Sequence, residues 1–256
     1  MREQKTEAII LDATDVFDAD RSLLLFSRQF GKIRARARGV RKSTSRLTGH
    51  LLSYIPTQLE VVETGGWFMI TQAQILSHYA SSQTYPANAL LFLRQAAIVA
   101  EAVNRLFVDR DAHPGIYDGL VYTLDRLRDL CGEEGTEAPV KNQLVVAEFL
   151  FKCLAELGYL PELYRCVLTG QPLDPEFIAW NSQLGGTLSK KGFDQSGTGI
   201  VLSSPKTIVA VRQLLRPEFM AERLGMPDEI QQEVSRVVYD YLQTQIGQPL
   251  RSLGGA

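Results

Sequence analysis

Four cations at alternate positions, Lys32, Arg34, Arg36 and Arg38, interleave with Ile33, Ala35 and Ala37. Successive side chains of a β-strand point to opposite faces, so this spacing predicts one cationic face and one small apolar face. The cations recur every ~6.6–6.8 Å, two strand residues apart, which suits the phosphates of a nucleic-acid backbone. On a helix the same side chains would scatter around the cylinder. The row lies inside Arg21–Leu59, a stretch with nine Lys or Arg residues and no Asp or Glu. The whole chain has 27 basic and 29 acidic residues and a formal charge of -2, so outside this stretch 18 basic residues face 29 acidic ones. A near-neutral chain therefore carries one concentrated positive segment. The candidate phosphate-binding set is Arg28, Lys32, Arg34, Arg36, Arg38, Arg41, Lys42 and Arg46. The run from Arg41 to Arg46 has no apolar residue and reads as a mobile basic loop able to close over a bound strand. The competing reading is a solvated edge strand, because Lys and Arg deter edge pairing. Edge protection needs one or two charges, not nine without a counter-charge.

The elements that must hold this row read as a small β-barrel over residues 1–80. Thr6–Leu11 is apolar and strand-like, Asp12–Asp20 an acidic turn region, and Ser22–Ser27 a second strand. Gln29-Phe30-Gly31 turns the chain into the basic strand. Thr57–Glu63 and Trp67–Ile75 are two further strands joined by the hairpin turn Thr64-Gly65-Gly66. Five short antiparallel strands with one basic face fit an OB-fold, a common single-strand-binding barrel. Phe30, Tyr54, Trp67 and Phe68 are aromatic candidates for stacking on bases, although most of such rings fill a core.

Beyond residue 80 the chain reads as a helical bundle. Helical spacing covers Ala87–Phe107, Ile116–Leu130 and Val140–Leu157, with His113-Pro114-Gly115 as a break and Gly158 as a C-terminal cap. Leu120, Leu124 and Leu127 share one face. Gly132–Pro139 is an acidic loop. Helices are expected over Lys206–Leu215, Pro217–Leu224 and Pro227–Ile246, and a flexible hairpin over Gly192–Gly199. The chain is thus α+β, with domains at 1–80 and 81–256, and its length allows a sizeable core.

Other chemistry is sparse. His50, His78 and His113 share no ligand spacing, and Cys131, Cys153 and Cys166 form no even-numbered framework, which fits a reducing compartment. No phosphate-cradling loop of the G-x-x-x-x-G-K-[ST] type occurs. The carboxylates Glu133-Glu134 and those of Asp12–Asp20 read as loop charges. Lys190 and Lys191 form at most a minor cationic patch. No catalytic constellation emerges, and no enzyme activity or cofactor is expected. No apolar run is long enough for a transmembrane helix, and the N-terminus MREQKTEAIILDATD lacks the pattern of a signal peptide, so a cytoplasmic location is expected.

Gly158–Phe193 reads GYLPELYRCVLTGQPLDPEFIAWNSQLGGTLSKKGF. With the upstream run DRSLLLFSRQFGKIRARARGVRKS, the helix Ala89–Leu106 and the closing YDYLQTQIGQPLRSL, this order of segments resembles the RecO family of recombination mediators over essentially the full length. The resemblance implies an N-terminal OB-fold and a helical domain with a small ribbon-like insertion at 160–204. It implies binding of single- and double-stranded DNA, annealing of complementary strands, and help in placing recombinase on strands coated by single-strand-binding protein. The partners it implies are RecR, the C-terminal tail of single-strand-binding protein and RecF, at the nucleoid in the cytoplasm. Many proteins of the family carry four cysteines in the insertion. Here Cys166 stands alone, Thr169 takes the place of its C-x-x-C partner, and Thr187-Leu188-Ser189-Lys190 brings no cysteine. Tetrahedral zinc needs four such ligands, so no metal site is expected, and packing of Phe177, Trp180 and Leu184 must hold the insertion. Two other classes stay open beside DNA binding. One is an OB-fold adaptor whose basic face binds an acidic protein. The other is a nucleic-acid enzyme, which needs carboxylates near the basic face.

Overall fold

The computed structural model describes residues 3–79, 84–132, 138–216 and 225–253 of the 256-residue chain. The described chain divides into two compact units, residues 1–133 and 134–256.

The first unit is built on a closed five-stranded barrel. Its strands are β1 (Glu3–Val16), β2 (Asp20–Ser27), β3 (Gly31–Ala37), β4 (Thr57–Thr64) and β5 (Trp67–Ile75), in the order β1-β2-β3-β5-β4, with β4 returning to β1. The OB-like barrel expected from the sequence is present, with one difference. The pairing that closes it, Ala35 with Phe68 and Arg36 with Met69, is parallel. Gly65 and Gly66 both take positive φ, 58° and 84°, which is what a two-residue turn between β4 and β5 demands. Alternation delivers the core: Ala8, Ile10, Leu23, Leu25, Ile33, Ala35, Ala37, Leu59, Val61, Phe68 and Ile70 fill the interior.

The acidic stretch after Leu11 is not a turn region. It continues β1, which shifts register between Ile10 and Asp12 and runs on against β2 as far as Val16 opposite Asp20. Asp12, Ala13, Thr14 and Asp15 are all exposed there, on an arm that pairs with β2 alone. Its polarity imitates a loop, and only the pairing partner makes it a strand.

Two helices, α1 (Ala89–Leu106) and α2 (Pro114–Gly132), belong to the barrel's unit. Asn88 caps α1 by accepting a hydrogen bond from the Leu91 N–H at 3.1 Å. Pro114, expected as a breaker, opens α2 instead, where its missing N–H has no partner to lose. Leu120, Leu124 and Leu127 are buried as a stripe. Phe107, just after α1, meets Phe26 of β2 at 5.6 Å between ring centres. The outer side of β1 and β2 near Ile9, Leu24 and Phe26 is accordingly buried.

The second unit holds α3 (Ala138–Glu156), the ribbon strands β6 (Ala179–Asn181), β7 (Gly186–Leu188) and β8 (Ile200–Val201), and the helices α4 (Lys190–Ser196), α5 (Pro205–Leu214) and α6 (Asp228–Ile246). The helical expectation for Pro217–Leu224 lies outside the described residues. The three ribbon strands pair in the order β7-β6-β8. Residues Lys190–Ser196 are helical rather than a flexible hairpin. Ser189 caps the turn through the Gly192 N–H, and Gly197 ends it at φ 67°. The ribbon is tied to α6 through Trp180, whose indole N–H donates to Ser182 Oγ at 2.7 Å. The Trp180 ring stands edge-on to Tyr241 at 5.5 Å, and Ser182 in turn reaches the Asp240 carboxylate. Trp180 is fully buried, whereas Leu184, expected beside it, is exposed. No described helix is long and apolar enough to cross a membrane.

Candidate nucleic-acid interface

On β3 the predicted alternation holds. Ile33, Ala35 and Ala37 face the barrel interior at 2%, 0% and 0% exposure. Arg34 is exposed and Arg36 half-buried on the outer face, while Arg38, expected on the strand, is exposed in the turn that follows its end at Ala37. Lys32 breaks the pattern, with only 9% exposure. Its Nζ donates to the Asn104 carbonyl at the end of α1, 2.7 Å away, and pairs with Asp109 at 3.2 Å. The backbone explains why. Below Ala35 the strand loses β5 as a neighbour, and the segment after α1 takes the vacant edge, with the Arg110 N–H donating to the Lys32 carbonyl at 2.8 Å. Gly31 is required at that approach, because a Cβ there would lie 1.9 Å from the Asp111 carbonyl oxygen and its φ is +64°. The open cation face expected to start at Lys32 therefore starts at Arg34.

Three further cations of the basic stretch have carboxylate partners brought in by folding. Arg21 and Arg41 both reach Asp15, at 2.8 Å and 3.3 Å, and Arg28 reaches Asp118 of α2 at 2.9 Å. The hydrogen bond from Arg21, with Arg41 adding to it, holds the Asp15 carboxyl below the usual range. The counter-charges lie outside Arg21–Leu59, so the absence of acids within that stretch overstates its free charge. Among the described residues, Arg34, Arg36, Arg38, Lys42 and Arg46 have no carboxylate within ion-pair distance. The run after Gly39, expected as a mobile loop, carries two successive backbone turns, from the Lys42 N–H to the Gly39 carbonyl at 3.1 Å and from the Ser45 N–H to the Lys42 carbonyl at 3.0 Å. Lys42 and Arg46 stand exposed on it.

Along the β3–β5 seam runs a groove of about 350 Å³ lined by Arg36, Arg38, Thr64, Trp67, Phe68 and Met69. A smaller recess of about 160 Å³ continues it past Arg34 to Asp109 and Arg110. Arg110 was not singled out by sequence, since it lies outside the basic stretch. Its guanidinium stands 5.4 Å from the Phe68 ring and pairs with Glu63 at 2.7 Å. Of the predicted stacking aromatics, Phe68 is buried and Phe30 stacks on it at 5.3 Å, while Tyr54 is half-buried at φ 64°. Trp67 alone of these four is exposed, at 46%. Phe17, which sequence reasoning passed over inside the acidic region, is 76% exposed at the tip of the β1–β2 arm, and Arg36 stands 5.1 Å over its ring. An aromatic at a hairpin tip is visible in the sequence; its meeting with Arg36 is not.

Elsewhere, the His50 Nδ1 lies 3.5 Å from the Ile75 N–H, His113 sits edge-on to Phe107 at 4.9 Å and pairs with Asp111, and His78 falls in the short turn Ser77–Tyr79. Among the described residues no group of three or more His, Cys, Asp or Glu is placed to hold a metal ion. Cys166 is nonetheless not isolated. Burial pushes its thiol up, but hydrogen bonds from the hydroxyls and backbone N–H groups of Ser189 and Thr169 outweigh that and hold it at about 6. Gly192 closes the cluster, since a Cβ there would lie 2.4 Å from the Cys166 sulfur. Positions 166, 169, 189 and 192 thus converge on one point, occupied by Cys, Thr, Ser and Gly.

Comparison with known proteins places these features in a family. The family described as "Recombination protein O N terminal" matches residues 1–79, and "Recombination protein O C terminal" matches residues 93–254. A relative named DNA repair protein RecO from Desulforudis audaxviator is 31% identical over 191 residues, covering 74% of this chain and 70% of its own. Proteins of the same name from Cutibacterium acnes and Caldanaerobacter subterraneus are 28% and 22% identical, covering 87% and 98% of this chain and 86% and 96% of their own.

Proposed function

The chain belongs to the recombination protein O family of DNA repair proteins, and from that premise we propose that it binds single- and double-stranded DNA on the outer face of β3 and anneals complementary strands. The reading extends to helping recombinase onto strands coated by single-strand-binding protein, with RecR, RecF and the C-terminal tail of that coating protein as partners, at the nucleoid in the cytoplasm. It is a reading of binding rather than turnover. One observation carries it: Arg34 and Arg36 stand on the outer face of β3 and Arg38 in the turn just past its end, with no carboxylate in ion-pair distance of the three among the described residues. Lys42 and Arg46 extend the positive surface beyond the strand, and the paired Arg28 and Arg41 lie at its margins.

The mechanism is electrostatic. Cations that neutralise phosphates release condensed counterions, which drives binding and makes it salt-dependent. Two complementary strands held on one positive surface repel each other less, so they pair faster. Phosphate contacts carry no base information, so the affinity is indifferent to sequence.

Replacing Arg34, Arg36 and Arg38 together by Glu tests this. Arg34 and Arg38 are exposed, where substitutions move stability by within ~0.5 kcal/mol each, and Arg36 is half-buried, so folding of the triple variant is checked by circular dichroism before binding is read. Its DNA affinity falls for every sequence alike, and the slope of log affinity against log salt drops by roughly 0.7 per lost contact on single strands. Glu at Lys206 and Arg236, exposed on the second unit, is the comparison and has a much smaller effect. Arg126 and Arg128 do not serve as controls: Arg126 is buried and Arg128 stacks on Tyr79 at 4.4 Å. A folded triple variant with unaltered affinity and salt slope would overturn the proposal in favour of an adaptor whose basic face binds an acidic protein.

A further inference from the structure

Trp67 and Phe17 are out of place on any reading that stops at phosphates. A large aromatic ring left in water forgoes the stabilisation that burial would bring. Among the described residues of the first unit, the strongly exposed aromatic rings are Phe17, Trp67 and Tyr122, and Tyr122 lies on α2, outside the β3–β5 groove. The other two flank the open cations. β3 has β2 on one side and β5 on the other. Phe17 comes from the β1–β2 arm and meets Arg36 from the β2 side, and Trp67 opens β5 and lines the groove shared with Arg36 and Arg38. Met69, a soft apolar side chain, is half-buried in the floor opposite Arg36.

Rings beside a row of cations match one kind of ligand. An unpaired nucleotide offers a charged phosphate and a free π-face together, whereas a duplex keeps its base faces stacked inside and presents only edges. An acidic peptide offers charge without a π-face. We propose that Trp67, with Phe17 across Arg36, is a stacking platform for unpaired bases, so that the β3–β5 groove takes a single strand with bases on the aromatics and phosphates on Arg34, Arg36 and Arg38. This deepens the DNA-binding reading and rests on it. It assigns the two forms of DNA different contacts: both use the arginines, and only the single strand uses the rings.

Intrinsic fluorescence reads the contact directly. The chain has two tryptophans, and Trp180 is fully buried in the second unit against Tyr241. Titrating the full-length protein with oligothymidylate quenches the Trp67 emission, and a blunt duplex of equal phosphate count binds with much less quenching. Trp67→Ala weakens oligothymidylate binding by about ten-fold and leaves duplex affinity within about two-fold, while Trp67→Phe keeps most of the single-strand affinity. Phe17→Ala moves the same way. The inference fails if Trp67→Ala binds oligothymidylate like the parent, if it loses single strand and duplex equally, or if polyglutamate quenches as strongly as DNA. The Glu triple variant separates the two levels. Loss of binding there with none in Trp67→Ala sinks the platform alone, whereas full binding there sinks the DNA-binding reading beneath it.

Discussion

Lys32 and Arg34 are two residues apart on one strand face and do different work. The Lys32 ammonium is enclosed by the Asn104 carbonyl and Asp109, so it holds the chain after α1 against the edge of β3. Arg34 is exposed and has no such partner among the described residues. A buried polar partner left unpaired is destabilising by about 1–3 kcal/mol. Lys32→Met is therefore expected to lower the unfolding free energy by about 1 kcal/mol, the low end of that range because Asn104 is half-buried and Asp109 exposed, measured by urea titration. The same variant keeps the parent's salt slope for DNA binding, because Lys32 offers no free charge. Arg34→Met is expected to do the reverse, with stability unaltered and a shallower salt slope.

At the scale of elements, the ribbon is held by hydrogen bonds and packing. Cys166, Ala179 and Leu188 form a small core closed by Val167, Leu173, Phe177 and Phe193. Removing metal should then leave it intact. Dialysis against a chelator is expected to leave the melting temperature unchanged and elemental analysis to give no stoichiometric zinc; about one zinc per chain would refute this. The Cys166 cluster adds a pH signature. Its folded thiol ionises at about 6, below the ordinary ~8.5, so the fold favours the thiolate. The stabilisation is full above ~8.5 and is lost as pH falls through 6. Stability should therefore rise with pH across that window, and Cys166→Ala should flatten the rise.

For the whole molecule, a formal charge of -2 conceals the segregation of charge. On the proposed function, strand annealing driven by phosphate neutralisation needs no chemical energy, only Arg34 and Arg36 of β3 with Arg38, Lys42 and Arg46 beyond its end. Annealing of complementary oligonucleotides is expected to proceed without ATP, to be unchanged when ATP is added, and to slow steeply between 50 mM and 200 mM salt. The assay is the loss of a single-strand signal with time. An ATP-dependent rate, or a rate indifferent to salt, would remove the electrostatic mechanism.

What was legible in the sequence follows from period and punctuation. The two-residue alternation of β3 specified its inward Ile33, Ala35 and Ala37, because an interior of a small barrel admits only one face of each strand. The Gly65-Gly66 turn marked the β4–β5 hairpin, and the Leu stripe marked α2, for equally local reasons. The tertiary structure decided which cations remain free. Asp109 and Asp118 pair with Lys32 and Arg28, and Asp15 is shared by Arg21 and Arg41, all from outside the basic stretch, and the pairing of Lys32 with Asp109 spans most of the first unit's sequence. It also turned the acidic stretch after Leu11 into a paired arm and set Phe17 against Arg36. Local propensity determines faces and turns; the partner of a charge is chosen by chain closure, which no short window of sequence contains.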